Sequence, residues 1–356
     1  MKADLRSLPR DELEAWVRDE LGLPAWRGRQ VFRWLWRPGT VSFQQMTDLG
    51  KDLRAALAEA GEIRGFTAAG EQRSADGTRK FLWRLPDGAR VESVYIPEER
   101  RRTLCVSSQV GCAMGCRFCR TARMGLVRQL TPGEIAGQVL AAVERLGDAP
   151  GPVRNLVFMG MGEPLANLPA LARAIRILAD DLGLNFSTRR ITVSTCGLPR
   201  QMLELGRSLD VGLAVSLHAP DDELRSRLMP VNRRHPLAEL LEACRRYPLP
   251  RRRRITFEYL LLAGVNDAPA HARRLADLLR GLRAKVNLIP FNECPGIPFR
   301  RPSDHRVEAF RQVLLEAGLN ATVRRSRGTD IAAACGQLYA EDQRTADGRE
   351  KDAAAA

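Results

Sequence analysis

The sequence predicts an α/β protein, a partial (βα)6 barrel of parallel strands preceded by a small helical domain and a short β-hairpin. Three observations carry that prediction. From Leu104 onward, short β-rich runs alternate with longer helical patterns, as strand-helix units on a parallel sheet require. Residues 1–64 repeat apolar side chains at three-to-four spacing. Between these regions, apolar and polar residues alternate around the turn Pro86-Asp87-Gly88. A chain of 356 residues, 44% hydrophobic and 28% charged, is long enough for one large domain with a smaller one attached.

The helical domain, 1–64, places Leu13, Trp16, Val17 and Leu21, then Val31, Phe32, Leu35 and Trp36, at helical intervals, and holds four of the five tryptophans. The hairpin extension and linker, 65–102, has Phe81, Trp83 and Leu85 alternating on one strand, a second strand from Val91 to Ile96, and a polar connector. The barrel core, 103–340, predicts strands at 104–108, 155–159, 191–195, 212–217, 255–260 and 286–289, with 321–324 as a possible seventh. One helix start is well marked: Thr131-Pro132-Gly133-Glu134 supplies a cap, a proline at the first helical position and the glutamate of a capping box. No repeat of fixed period occurs, and 341–356 reads as a polar tail expected to be disordered.

Composition excludes several classes. No apolar run approaches the ~18–20 residues that a bilayer span needs, and the start leads into charged residues rather than a signal-peptide core, so a cytoplasmic location without membrane attachment is expected. In a reducing compartment eight cysteines are not a disulfide framework, and those that cluster are candidates for metal binding or catalysis. The balance of 56 Lys+Arg against 42 Asp+Glu gives +14, concentrated in runs such as Arg251 to Arg254 and Arg324-Arg325. Such a charge favours a polyanionic partner, although an arginine-rich solvated surface accounts for it equally well.

Cys112-x3-Cys116-x2-Cys119 puts three thiols on one tight loop after the first barrel strand. A structural zinc site closes with four protein ligands, whereas an iron–sulfur cluster held by three leaves one iron open to a small molecule. A zinc site completed by a distant Cys or His stays as the alternative. Barrel chemistry is assembled at the carboxyl ends of strands. There the sequence offers Gly160 to Pro164, Ser194-Thr195, Ser216-Leu217-His218 and Phe291-Asn292. Singly each is weak, and His218 alone reads more readily as a structural histidine. Convergence on one cysteine loop gives them joint weight.

The motif C-x3-C-x-F-C resembles the cluster motif of radical S-adenosylmethionine (SAM) enzymes, and the chain from about Leu13 to Tyr339 resembles the RlmN/Cfr family of radical SAM RNA methyltransferases. The residues carrying the second resemblance are Val91 to Pro97, Cys105 to Cys112, Met159 to Leu165, Ser216 to Pro220, Gly264 to Asp267, and Asp330 to Leu338. It implies a radical SAM barrel with one 4Fe-4S cluster on Cys112, Cys116 and Cys119, and two SAM molecules per turnover. It implies that Cys335 takes a methyl group from one SAM. The radical made from the second then abstracts hydrogen from that methyl, and the resulting carbon radical adds to an adenine carbon that has no nucleophilic lone pair. Cys105 then resolves the protein–RNA crosslink through a transient disulfide with Cys335. Glu92 is the implied proton acceptor, and its alternation with Val94 and Ile96 puts it on an apolar face, where desolvation makes a carboxylate a stronger base.

By the same resemblance Gly162, Glu163, Ser194, Ser216, Leu217, His218 and Asn292 bind SAM, Glu163 suiting the positively charged amino group. Cys196, Cys244 and Cys294 read as structural. The implied substrate is an adenosine of 23S rRNA, with tRNA left open, and the helical domain is the implied RNA-holding part. A base must leave its stack to reach a barrel, so a loop or unpaired site is favoured. Segments 162–164, 288–292 and 325–328 resemble the RlmN branch, which methylates carbon 2, rather than the Cfr branch, which methylates carbon 8. A reductant such as flavodoxin is the generic expectation for the superfamily, and a monomer is the default. Two further alternatives are a radical SAM enzyme acting on a small molecule or protein, and a non-enzymatic RNA-binding protein with a structural zinc.

Overall fold

In the computed structural model, which describes residues 2–98, 101–147 and 153–340, a ten-stranded sheet runs through most of the chain. The amino-terminal region lies apart from that sheet. There β1 (Ala3–Asp4) pairs in parallel with β2 (Gly61–Glu62), joining the two ends of a segment that contains α1 (Arg10–Leu21), α2 (Trp26–Leu35) and α3 (Lys51–Ala60). Helix α1 carries Asp11 and Glu12 in its first turn and stops at Gly22, whose φ of 65° ends it in the left-handed region. Leu13, Val17, Val31, Phe32 and Leu35 are fully buried, as their spacing predicts, while Trp26 is 47% exposed.

Next come β3 (Thr67–Arg73), β4 (Arg79–Arg84) and β5 (Arg90–Pro97), all antiparallel, and β5 also pairs antiparallel with β6 (Arg102–Cys105). The predicted hairpin is thus part of a three-stranded extension of the barrel's own sheet. Val91 to Tyr95 are buried without alternation because both faces of β5 are covered. Strand β3 forms the edge, mostly exposed and polar, with an irregularity between Ala68 and Gly70. Residues 99–100 of the connector and the predicted tail 341–356 lie outside the described residues.

After β6, β7 (Gln109–Gly111) and β8 (Leu126–Gln129) form a small antiparallel pair that flanks the three-cysteine loop and the short turn α4 (Arg120–Arg123). Helix α5 (Pro132–Leu146) starts as the sequence predicts. The Glu134 amide donates to Thr131 Oγ1 at 3.1 Å, and Glu134 Oε2 accepts from the Thr131 amide at 2.9 Å. There follow β9 (Asn155–Phe158), α6 (Leu168–Ala179), β10 (Ile191–Thr195), α7 (Pro199–Ser208), β11 (Gly212–Ser216), α8 (Asp222–Leu228), α9 (Leu237–Arg246), β12 (Ile255–Leu261), α10 (Pro269–Leu278), β13 (Ala284–Pro290), α11 (Asp304–Glu316) and β14 (Asn320–Val323).

Strands β6, β9, β10, β11, β12, β13 and β14 are parallel and stand in chain order, so the possible seventh strand is formed. Helices pack in neighbouring pairs, α5 on α6, α7 on α9 and α10 on α11. Leu156, Phe158, Val193, Val215, Phe257 and Leu288 are among the fully buried strand residues, the continuous apolar runs expected of parallel strands covered on both faces. Among the described residues no helix is long and apolar enough to cross a membrane.

Candidate active site

The carboxyl ends of the parallel strands meet around one cleft enclosing about 960 Å³ of empty space, part of it open to solvent. A concave wall of apolar residues with a few convergent polar groups is the form of a small-molecule site. Its wall includes Cys112, Cys116 and Cys119 from the loop after β7, Gly162 and Glu163 after β9, Ser194 from β10, Ser216 from β11, His218 just beyond it, and Cys335 from the loop after β14. Residues up to 223 positions apart in the chain are therefore brought to one place.

Local backbone features fix the cysteine loop. Gly111 has φ +76°, and a Cβ there would lie 1.9 Å from the Gly125 carbonyl oxygen, so only glycine closes the loop's base. The Cys112 amide donates to that same oxygen at 2.7 Å. Further along, the Arg117 amide donates to Leu228 O and the Arg120 amide to Gly336 O, which ties the loop to α8 and to the residue after Cys335. The Phe118 ring meets His218 edge-on at 4.9 Å. Burial pushes the Cys112 thiol up to about 12 and raises Cys116 and Cys119 as well.

The three thiols fit an iron–sulfur cluster. Buried thiolates need cationic partners, which irons supply. Among the described residues no group of three or more His, Cys, Asp or Glu converges tightly enough to hold a single metal ion. A cluster takes each cysteine on a different iron, and the three thiols line one wall of the same cleft.

Glu163 is the built acid of the cleft. Gly162 precedes it with φ +102°, where a Cβ would meet Gln109 Cβ at 2.6 Å, and the Glu163 amide donates to Gln109 Oε1 at 2.7 Å. Its carboxylate accepts from the Cys196 amide at 2.8 Å and the Leu165 amide at 3.1 Å. Burial raises its pKa against the pull of these amides and of the Cys196 and Thr195 side chains. A buried carboxylate of this kind fits a ligand's ammonium group. His218, at φ +60°, accepts from the Leu260 amide on Nδ1 at 3.0 Å, which leaves the proton on Nε2. Burial, then the charge of Arg225, lowers its pKa to about 3, so the ring is neutral.

Four predicted residues stand elsewhere. Leu217 is fully buried and does not line the cleft. Its amide and carbonyl are bonded to Glu258 O and Arg225 Nε. Asn292 lines a smaller neighbouring cavity that also includes Cys335 and Arg324. Cys105 is buried at the end of β6. Burial drives its thiol up to about 12, with Cys335 repelling and Arg324 opposing. All eight cysteines are free: Cys105 and Cys335, between which the resemblance implies a transient disulfide, stand here as two separate thiols, one buried in a strand and one on a half-buried loop, and no disulfide is present among the described residues. Glu92 is buried on β5, where Lys80 Nζ lies 3.1 Å from Oε1 and the Tyr339 amide donates to Oε2 at 2.9 Å. The apolar face expected around it therefore contains a cation.

Three important residues escaped the sequence reading. Arg225, which looks like a solvated helix arginine, is fully buried and bonded to Cys196 O, Ser216 O, Leu217 O and Asn232 Oδ1. Arg324, grouped with the surface arginine pairs, lines the cleft among Cys335, Glu258 and Cys105, whose proximity raises its pKa. Glu258 lines it too, accepting from Asn287 Nδ2 at 2.7 Å. Only inward alternation along β12 could have marked Glu258, and nothing in the sequence marks Arg225.

A partial parallel barrel with three thiols on the loop after its first strand defines a radical SAM protein. The Radical SAM superfamily model matches residues 106–276, and the model of the ribosomal RNA large subunit methyltransferase N-terminal domain matches residues 3–63. The dual-specificity RNA methyltransferase RlmN of Anaeromyxobacter dehalogenans (strain 2CP-C) is 56% identical, over 95% of this chain and 92% of its own. That of Geobacter sulfurreducens is 54% identical, over 94% and 91%. The crystal structure of a radical SAM methyltransferase from Sphaerobacter thermophilus superposes with a TM-score of 0.90 at 50% identity, over 96% of this chain and all of that one. The chain belongs to the RlmN family.

Proposed function

We propose that this protein methylates carbon 2 of one adenosine in 23S rRNA, with tRNA as a second substrate, through a methylated cysteine and a transient protein–RNA crosslink. The observation that carries the proposal is the presence of Cys335 in the same cleft wall as Cys112, Cys116 and Cys119. The names of the relatives as dual-specificity RNA methyltransferases support the substrate class. The match of residues 3–63 supports the amino-terminal helices as the part that holds RNA.

Bound together, a 4Fe-4S cluster and SAM supply the methyl group and a 5′-deoxyadenosyl radical. The rest is the work of the chain. Cys112, Cys116 and Cys119 hold the cluster, and Glu163 with Ser194, Ser216 and His218 orients SAM. Cys335 carries the methyl carbon to the base. Glu92 accepts the proton that the adenine ring loses, and the one unpaired electron left on the adduct would return to the cluster when it is bound. Cys105 then attacks the Cys335 sulfur as a thiolate: the S–S bond forms as the S–C bond breaks, and the released carbon keeps the electron pair and takes up a proton. The charge of Arg324 favours the ionised form of Cys105. A reductant such as flavodoxin returns the two thiols.

The test is anaerobic incubation of reconstituted protein with SAM, reductant and unmodified 23S rRNA or tRNA, followed by nucleoside mass spectrometry. The expected product is 2-methyladenosine. Cys335→Ala abolishes it, and Cys105→Ala accumulates a protein–RNA adduct. An 8-methyladenosine product overturns the carbon assignment, and full activity of Cys335→Ala overturns the mechanism.

A further inference from the structure

Lys80 has no part in the chemistry above, yet its position connects three pieces of it. Its side chain is only 12% exposed, on β4 of the antiparallel extension. The ammonium lies 3.1 Å from Glu92 Oε1 and donates to the Ala332 carbonyl at 3.5 Å. Ala332 stands three residues before Cys335 and adopts φ +49°, a conformation that a residue with a Cβ rarely takes without outside support. On the other side of Cys335, the Tyr339 amide donates to the second oxygen of the same carboxylate. The turn before β4 grips the loop as well. Ser74 Oγ donates to Asp330 Oδ1 at 2.6 Å, and the Gly328 amide donates to Asp76 Oδ2 at 3.0 Å.

We propose that Lys80 is a positioning residue of the methylation reaction: it holds the Glu92 carboxylate in place and fixes the loop that carries Cys335 against it. The inference rests on the reading of Glu92 as proton acceptor. A buried carboxylate stays charged only with a cation or several donors around it. Lys80 is paired with Glu92 at 3.1 Å. The other elements packed there contribute uncharged groups, the Tyr339 amide, the Met161 sulfur at the Glu92 amide and the Ser107 hydroxyl on the Glu92 carbonyl. Without Lys80 the carboxylate loses its charged partner and the Ala332 carbonyl loses its donor, so neither Glu92 nor the loop before Cys335 is held against the other.

The test compares Lys80→Met, Lys80→Arg and Glu92→Gln in the reconstituted enzyme on rRNA. It reads the methylated nucleoside and, separately, the mass gain of methylated Cys335. The expected Lys80→Met enzyme still methylates Cys335 but makes roughly ten-fold less methylated nucleoside, because the misplaced acceptor affects only the step on RNA. Lys80→Arg keeps the charge and restores most of the rate. If Lys80→Met loses its iron or its native circular dichroism, Lys80→Gln, which can still bond to Ala332 without the charge, takes its place in the same comparison. Unchanged product formation by Lys80→Met overturns the proposal, and so does equal loss of Cys335 methylation or failure of Lys80→Arg to recover. Full activity of Glu92→Gln instead refutes the acceptor role of Glu92 itself.

Discussion

Replacing Arg225 with methionine should cost more stability than any other single change near the cleft outside the cysteines. The guanidinium is fully buried and donates to Leu217 O at 3.1 Å, Asn232 Oδ1 at 2.7 Å, Cys196 O at 2.6 Å and Ser216 O at 3.1 Å. It thereby joins the ends of β10 and β11 to the turn after α8. Methionine fills much of the volume but leaves four acceptors without a donor. At about 1–3 kcal/mol for each buried acceptor left unpaired, discounted because neighbours relax together, the loss comes to about 3–5 kcal/mol. Urea denaturation of the cluster-free protein under anaerobic conditions measures it directly. Arg225→Lys should recover less than half, since one ammonium cannot reproduce a planar fork of donors. A loss below about 1 kcal/mol for the methionine variant would refute the claim that this arginine organises the strand ends.

Three other outcomes follow from the geometry. His218 has its pKa lowered to about 3 against an ordinary 6.5, so the unfolded chain binds a proton that the folded chain does not. Its contribution is complete above about pH 6.5 and falls as pH drops toward 3, by at most about 1.4 kcal/mol per pH unit, and His218→Gln should flatten that part of the stability curve. Gly162→Ala combines φ +102° with a Cβ 2.6 Å from Gln109 Cβ, so thermal unfolding should show a loss of about 2–4 kcal/mol together with weakened SAM binding by calorimetry. Thr131→Ala removes the side-chain acceptor of the Glu134 amide and should cost about 1 kcal/mol by the same unfolding assay, with methylation unchanged.

Strand positions, the capped start of α5 and the cysteine loop were legible because each rests on local chemistry: alternation, a capping box, a ligand spacing. The three-stranded extension was only half legible. Strand β3 carries Thr67, Gly70, Glu71 and Gln72, an edge sequence without the apolar alternation that marks a half-buried strand. Gly162, Glu163, Ser194 and Ser216 could be placed because a parallel barrel delivers its strand ends to one rim. Arg225 and Lys80 could not. A buried arginine that serves carbonyl oxygens has the sequence context of a solvated one, and the partners of Lys80 are set by a register and a loop far away in the chain. The roles of Cys105 and Cys335 came from resemblance alone, since neither sits in a pattern that distinguishes it from a buried structural thiol.

The long separations within the Cys335 loop contacts bear on how the protein is made. Thr121, two residues after Cys119, donates to Leu338 O, 217 positions later, and Ser74 reaches Asp330 across 256 positions. At roughly 5–20 residues per second, a ribosome delivers the closing segment some tens of seconds after the cysteine loop has been synthesised. During that interval the three thiols lack the cover of residues 328–339. The nascent chain thus presents the loop of Cys112, Cys116 and Cys119 without the contacts that Gly336 and Leu338 later add to its far end.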